Sequence, residues 1–355
     1  MFRAPFASKN GMISPLSPDP PHTNVVRMTL VNNRQLVDDQ ISAAPPREAR
    51  MPRKSESSSD RSRSGTRRAV AGKAVKALKG VRTRVTVRAE RVEAVPLARG
   101  TAPVAAAAGA LVDRIKQFAG ESEIATFRWR DRGRAPGGYI KGMALVFARV
   151  CCKLEAGDPA AVDMAKAATG DGNRDALTWY AEIFDELGMP NDRDGPDTLR
   201  HLFVLMIGLG MRESSGKHCE GRDRSADNTT AGTAEAGLFQ TSFNARSASP
   251  LMPQLFATYR ANPAGFLDTF QEGVRCSAAS LENFGRGDGR EYQRLAKECP
   301  AFHAEFTAVG LRHIRKHWGP ITRRAAQVRP ECDGMLRGVQ DLLATASPVE
   351  KAALL

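Results

Sequence analysis

The run Gly-Leu-Gly-Met-Arg-Glu-Ser-Ser-Gly at 208–216 places one carboxyl group, Glu213, where an apolar stretch gives way to a polar one. Behind it lie Leu205, Met206, Ile207, Leu209 and Met211. Apolar surroundings strip hydration from a carboxylate, favour the neutral acid and raise the pKa. Such a group keeps a proton at neutral pH and can hand it to a leaving oxygen. Ser214 and Ser215 are adjacent donors for its carboxyl. The plain alternative is a surface glutamate at a helix end, paired with Arg212.

Other constellations do not complete a site. Gly210 to Gly216-Lys217 has five intervening residues where a phosphate loop needs four, and His218 stands at the magnesium-binding Ser/Thr position. His313 and His317 are one helical turn apart, but Ile-Arg-Lys between them lacks the glutamate of a zinc protease. With Arg312, Arg315 and Lys316 they read as a basic solvated face. Gly285–Arg290 is glycine-rich with no strand before it, which argues against a dinucleotide site. His218 beside Cys219 lacks a third group to orient a thiol catalyst. No metal or organic cofactor is expected.

The elements around Glu213 read as helices. Tyr139–Leu154 is a mostly apolar helix. Asp158-Pro159 is an N-cap followed by proline at the first helical position, opening a helix to Ala168. Asp175–Leu187 is another, stopped by Gly188 and Pro190. Asp197 is expected to cap the helix that runs to Arg212. Its apolar residues cover most of the circumference, so it is expected to be central, with Gly208 and Gly210 admitting a close neighbour. Ser214–Ala236 is polar, aperiodic and 23 residues long, and a loop of that length in a compact domain is usually functional. Helices follow at Pro250–Arg260, Pro263–Glu272 capped by Asn262, Cys276–Asn283, Gly289–Glu298, Pro300–Trp318 and Glu331–Leu343. Strand signals are scarce, so the fold class is mainly α.

Charge divides the 355-residue chain. The first hundred residues hold 20 Lys and Arg against 8 Asp and Glu, and the remainder holds 32 against 31. Pro52–Arg68 is nearly all Ser, Arg and Lys and cannot bury enough apolar surface to offset the entropy of ordering. Residues 1–110 are therefore expected to be a disordered basic arm, with a basic helix at Val70–Leu78 or a strand at 81–88 as local options. Residues 111–345 are expected to be the folded domain. Such an arm is either a solvated tail or a contact for an anionic polymer, wall material or nucleic acid. It lacks the aromatics of a dedicated single-strand binder. Cys151, Cys152, Cys219, Cys276, Cys299 and Cys332 fit three disulfides or buried thiols equally. A bridge between two of Cys219, Cys276 and Cys299 would fix the long loop. There is no apolar run long enough for a membrane span, and Met1-Phe-Arg does not begin a recognisable leader.

Three pieces occur in order: Arg-Glu-Ser-Ser-Gly at 212–216, Ala-Gly-Leu-Phe-Gln-Thr-Ser at 236–242, and Glu-Asn-Phe-Gly-Arg-Gly at 282–287 with Tyr292 beyond. Over about residues 197–295 the chain resembles the lysozyme-like superfamily, within it the lytic transglycosylases and goose-type lysozymes. Glu213-Ser214 matches the family's catalytic Glu-Ser. Gly237-Leu238-Phe239-Gln240 matches its Gly-Leu-Met-Gln with Phe for Met. Asn283-Phe284-Gly285 matches its Tyr-Asn-Ala-Gly, with Glu282 in place of the tyrosine.

The resemblance implies a lysozyme-like helical domain that cleaves the β-1,4 link between N-acetylmuramic acid and N-acetylglucosamine in peptidoglycan. Glu213 would be the acid/base. Ser214, Gln240, Asn283 and Tyr292 would shape the cleft. Gln240 would hydrogen-bond the sugar with Phe239 packed beneath it, and Tyr292 would stack on a sugar or meet Glu213 unless it is a core tyrosine. A hydrolase would need a second carboxylate, for which Asp223, Asp227 and Glu235 are candidates. With none clearly placed, the reading leans to a transglycosylase. Asp223 is also a ready partner for its flanking arginines. A hydrolase of peptidoglycan, chitin or chitosan, and a non-catalytic wall-binding module, are the alternatives. The substrate implies the periplasm or the cell exterior, with glycan strands as partner.

Overall fold

The computed structural model describes residues 101–224 and 229–355, with side chains from residue 109 onward. The domain is mainly α. Its long helices are α1 (Thr101–Glu121), α2 (Gly137–Glu155), α3 (Pro196–Ser214), α4 (Leu251–Ala261), α5 (Gly287–Glu298), α6 (Pro300–His313) and α7 (Pro330–Thr345). The arm at 1–100, with its optional helix and strand, lies outside the described residues. Helix α1 starts at Thr101, inside the region assigned to the arm.

Three helices form the centre. α2, α3 and α6 are apolar nearly all round and pack against one another, as expected of helices surrounded by protein. α1 and α7 lie on the α2–α3 pair, and α6 carries α4 and α5. Gly210 on α3 makes one of these crossings possible. A Cβ there would come within 2.2 Å of the Tyr139 hydroxyl, which donates to the Ile207 carbonyl at 2.9 Å. No helix among the described residues is long and apolar enough to cross a membrane.

Several local expectations change. Asp158 caps its helix through the Ala160 and Ala161 amides, but that helix ends at Met164. The helix expected at Asp175–Leu187 breaks at Tyr180 into Ala176–Trp179 and Ala181–Glu186. Asp197 is not the cap of α3. It lies in the first turn and pairs with Arg200, while Gly195 holds the capping position. Asn262-Pro263 opens no helix. The chain stays irregular to Phe266 and only Leu267–Phe270 is helical, because Gly265 must back onto Cys299. The helix expected at Cys276–Asn283 shortens to Ala278–Leu281. α6 stops at His313, where Ile314 leaves helical geometry.

Two hairpins were not anticipated. β1 (Arg128–Trp129) pairs antiparallel with β2 (Gly133–Arg134), and β3 (Glu235–Ala236) with β4 (Thr241–Ser242). Each strand has two residues, too few for an alternating pattern to stand out.

Candidate active site

Glu213 occupies the last turn of α3, which ends when Ser215 enters the left-handed region at φ 56°. The carboxyl is half-buried, and no described group donates a hydrogen bond to it. Burial, and next the charge of Glu235, push its pKa up to about 8. Arg323, Arg132 and Arg212 pull the other way without cancelling this. A neutral carboxylic acid near pH 7 is the consequence, which is the protonation state a general acid requires.

Ser214 does not hold that carboxyl. It is buried, and its hydroxyl faces the Gly210 carbonyl at 3.1 Å and the Leu238 carbonyl at 2.8 Å. One hydroxyl proton serves both, and the second contact crosses from α3 to the turn between β3 and β4. That turn is Gly237–Gln240, the second sequence motif. Gly237 has φ 72°, and a Cβ there would lie 2.6 Å from His303 Nδ1. Phe239 is buried against His303 with ring centroids 5.3 Å apart. Gln240 also takes a left-handed conformation, at φ 46°, and its amide donates to the Gly237 carbonyl at 3.1 Å. Trp318 Nε1 donates to the Phe239 carbonyl at 3.0 Å. The turn is thus clamped by α3, α6 and Trp318, and strand β3 brings Glu235 toward Glu213.

The third motif docks on the loop after α3. Gly285 packs on Ala231. Gln293 on α5 binds both the Phe284 amide, at 2.8 Å, and the Ala231 carbonyl, at 3.2 Å. Asn283 is half-buried, and its Oδ1 has no partner among the described residues. The loop is tied by a disulfide, Cys219–Cys276, 57 residues apart. The other four cysteines are buried thiols, so one bridge forms where three were possible, and it is one that fixes the long loop. His218 donates through Nδ1 to the Lys297 carbonyl at 2.9 Å, since a carbonyl only accepts. Its Nε2 lies 3.6 Å from Cys276 Sγ. Among the described residues His218, Cys219 and Cys276 alone approach metal-ligand spacing, but both sulfurs are in the disulfide.

Other expected site residues fall elsewhere. Tyr292 is fully buried among Phe243, Phe256, Phe302 and Phe306. It has no free face for a sugar and is a core tyrosine under the hairpin. Asp223 is exposed in the loop. Of its flanking arginines, Arg222 lies over Phe284 at 4.0 Å and Arg224 pairs with Glu282 at 2.6 Å. Asp227 is outside the described residues. The carboxylate that acts on Glu213 is Glu235. The supposed basic face at 312–317 is mostly interior. Arg312 pairs with Asp175 at 3.2 Å, His313 with Asp163 at 2.7 Å, Arg315 is buried, and His317 reaches the Ser242 amide at 3.4 Å. Lys316 alone of that set is exposed.

Hairpin β1–β2 is the part of the site that sequence reading missed. Its segment is Arg-Trp-Arg-Asp-Arg-Gly-Arg (128–134), with Trp129 buried and every arginine exposed. Arg132 donates to the Arg212 carbonyl at 2.7 Å, and Asp131 pairs with Arg212 at 3.7 Å. The arginine at every second position was the available signal. No protein-family model matches the chain, and no curated protein or solved structure is significantly similar to it.

Proposed function

We propose that this protein is a glycan-cleaving enzyme of lysozyme type, a lytic transglycosylase acting on the β-1,4 bond between N-acetylmuramic acid and N-acetylglucosamine. The observation that carries the reading is Glu213 itself. It is a half-buried acid with no hydrogen-bond donor among the described residues and a pKa raised to about 8, at a helix end tied to the Gly237–Gln240 turn through Ser214. In the proposed reaction Glu213 protonates the glycosidic oxygen and the C1–O bond breaks. The substrate's own C6 hydroxyl then attacks C1 and returns its proton to Glu213. One carboxyl serves as acid and then as base, and a 1,6-anhydro sugar is released.

Glu235 favours a second reading. A second carboxylate acting on the acid is what a hydrolase uses to position water or stabilise the sugar cation. The two readings differ by one water in the product. Mass analysis of fragments from purified peptidoglycan decides between them: anhydro ends support the transglycosylase and reducing ends the hydrolase. Glu213→Gln run alongside is expected to abolish both products while wall binding persists. Lysis at the parent rate by that variant would remove Glu213 from the chemistry. Action on peptidoglycan would place the protein in the periplasm or outside the cell.

A further inference from the structure

A groove of about 290 Å³ is lined by Arg130, Arg212, Arg324 and Arg329, with Ile183 and Gln327 among its other walls. It begins one residue from the proposed acid, because Arg212 directly precedes Glu213. Three chain segments far apart in sequence converge there: hairpin β1–β2, the end of α3 and the stretch 324–329. Two of the four guanidinium groups lie against aromatic rings. Arg324 lies over Trp179 at 4.7 Å and Arg329 over Phe127 at 4.3 Å. The Arg130 amide donates to Gln327 Oε1 at 3.0 Å, which fixes the hairpin against the groove. Planar cations stacked on aromatic faces keep their N–H edges oriented, and less entropy is lost when they bind a carboxylate.

These charges are available to a ligand. Arg130 pairs with no carboxylate among the described residues. Arg212 and Arg324 pair with Asp131 at 3.7 Å and Glu182 at 3.1 Å, whose side chains are 74% and 70% exposed. Exposed pairs of this kind contribute little and exchange readily. Arg329 is different: Glu331 holds it through two nitrogens, at 2.7 and 3.1 Å, so it forms a wall of the groove. Arg132 and Arg323 add positive charge at the Glu213 end. A concave surface of one sign concentrates ligands of the other.

We infer that this groove is a subsite for carboxylate groups carried by the glycan strand, with Arg130, Arg212 and Arg324 as the binding cations. The inference rests on the glycan-cleaving reading and narrows its substrate. Neutral chitin gives the groove nothing to bind, and cationic chitosan is repelled. Two sources of carboxylate exist on a muramic-acid polymer: the lactyl ether and the attached peptides.

The test uses the full-length chain with Glu213→Gln, so that ligands are not consumed. Calorimetric titration compares three probes of equal sugar length. They are a peptide-bearing muramyl oligosaccharide, the same oligosaccharide with its peptides removed, and a neutral N-acetylglucosamine oligomer. At least one acidic probe is expected to bind roughly tenfold tighter than the neutral one, as for one charge-assisted contact. The advantage should shrink as salt rises and be lost when Arg130→Gln and Arg324→Gln are added. Whichever acidic probe keeps the advantage identifies the source. Equal affinity for acidic and neutral probes overturns the inference, as does an advantage that survives both substitutions or the absence of binding to either acidic probe. Failure of the catalytic reading looks different. The chain with Glu213 intact would then cleave none of these probes, whatever their order of affinity.

Discussion

Two carboxylates on neighbouring helices have opposite surroundings. Glu305 on α6 is completely buried, yet Lys153 Nζ reaches its oxygens at 2.7 and 2.9 Å and the Tyr259 hydroxyl donates to it at 2.6 Å. Glu213 at the end of α3 is less buried but receives no hydrogen bond from any described group, and a second carboxylate bears on it. Depth alone therefore does not distinguish a proton donor from a structural anion. What matters is whether donors replace the lost water. Around Glu305 they do. Around Glu213 the nearby arginines act at a distance, and the carboxyl favours its proton.

Exchanging each glutamate for glutamine separates the two roles. Glu213→Gln is expected to lower kcat by about a thousandfold, in the range for loss of a general acid, with folding intact. Lysis of wall preparations and the denaturation midpoint measure the two effects. Glu305→Gln is expected to act on stability instead, costing about 3 kcal/mol because Lys153 loses its counter-charge in a largely buried site. Urea unfolding gives that number, and turnover per folded molecule should hold. If Glu305 proved essential to turnover and Glu213 only to stability, the contrast would be reversed.

The pH dependence of stability tests the same contrast. Folding raises the Glu213 pKa from 4.5 to about 8. Between those values the folded protein holds a proton that the unfolded chain has released. Stability is then fully present below 4.5 and declines as pH rises to about 8. Partial exposure reduces the total to an expected change on the order of 2 kcal/mol. Unfolding of the parent and of Glu213→Gln at about pH 5 and about pH 9 should show a smaller decline in the variant. Parallel profiles would mean that Glu213 titrates as an ordinary surface group. Turnover should fall above about pH 8 for the same reason, because the acid has then lost its proton.

The sequence carried the centre of the fold and the position of Glu213 because both rest on long apolar periods. α2, α3 and α6 are unbroken runs whose helical spacing is visible without tertiary information. The misplaced boundaries have different causes. At Pro263 a local capping preference yields to a contact formed only on folding, Gly265 on Cys299, whereas Asp197 pairs with Arg200 within the first turn of its own helix and leaves the capping position to Gly195. The site was half legible. Ser214 and Gln240 do meet at one turn, but Ser214 bonds backbone carbonyls there and Tyr292 lies in the core. The arginine groove was invisible because Arg130, Arg212 and Arg324 converge only in three dimensions. Glu235 could be named as a candidate, but not chosen over Asp223, since a strand of two residues leaves no periodic trace.

The smallest expected effect comes from Ser214, and it asks how the surroundings of Glu213 are maintained. Its hydroxyl is the described side-chain hydrogen bond from α3 to the Gly237–Gln240 turn. Ser214→Ala removes that bond and leaves the Leu238 carbonyl short of a partner, an expected loss of about 1 kcal/mol. If the docked turn is what keeps water from Glu213 and holds Glu235 near it, loosening the turn rehydrates the acid. Its pKa should then drop, so the alkaline limit of turnover should move toward neutral pH. Ser214→Thr, which restores a hydroxyl, should move the limit back. A purely structural serine would give the stability loss with an unmoved pH profile. Glu213 would then owe its proton to α3 alone, and the turn that carries Gln240 would serve the substrate rather than the acid.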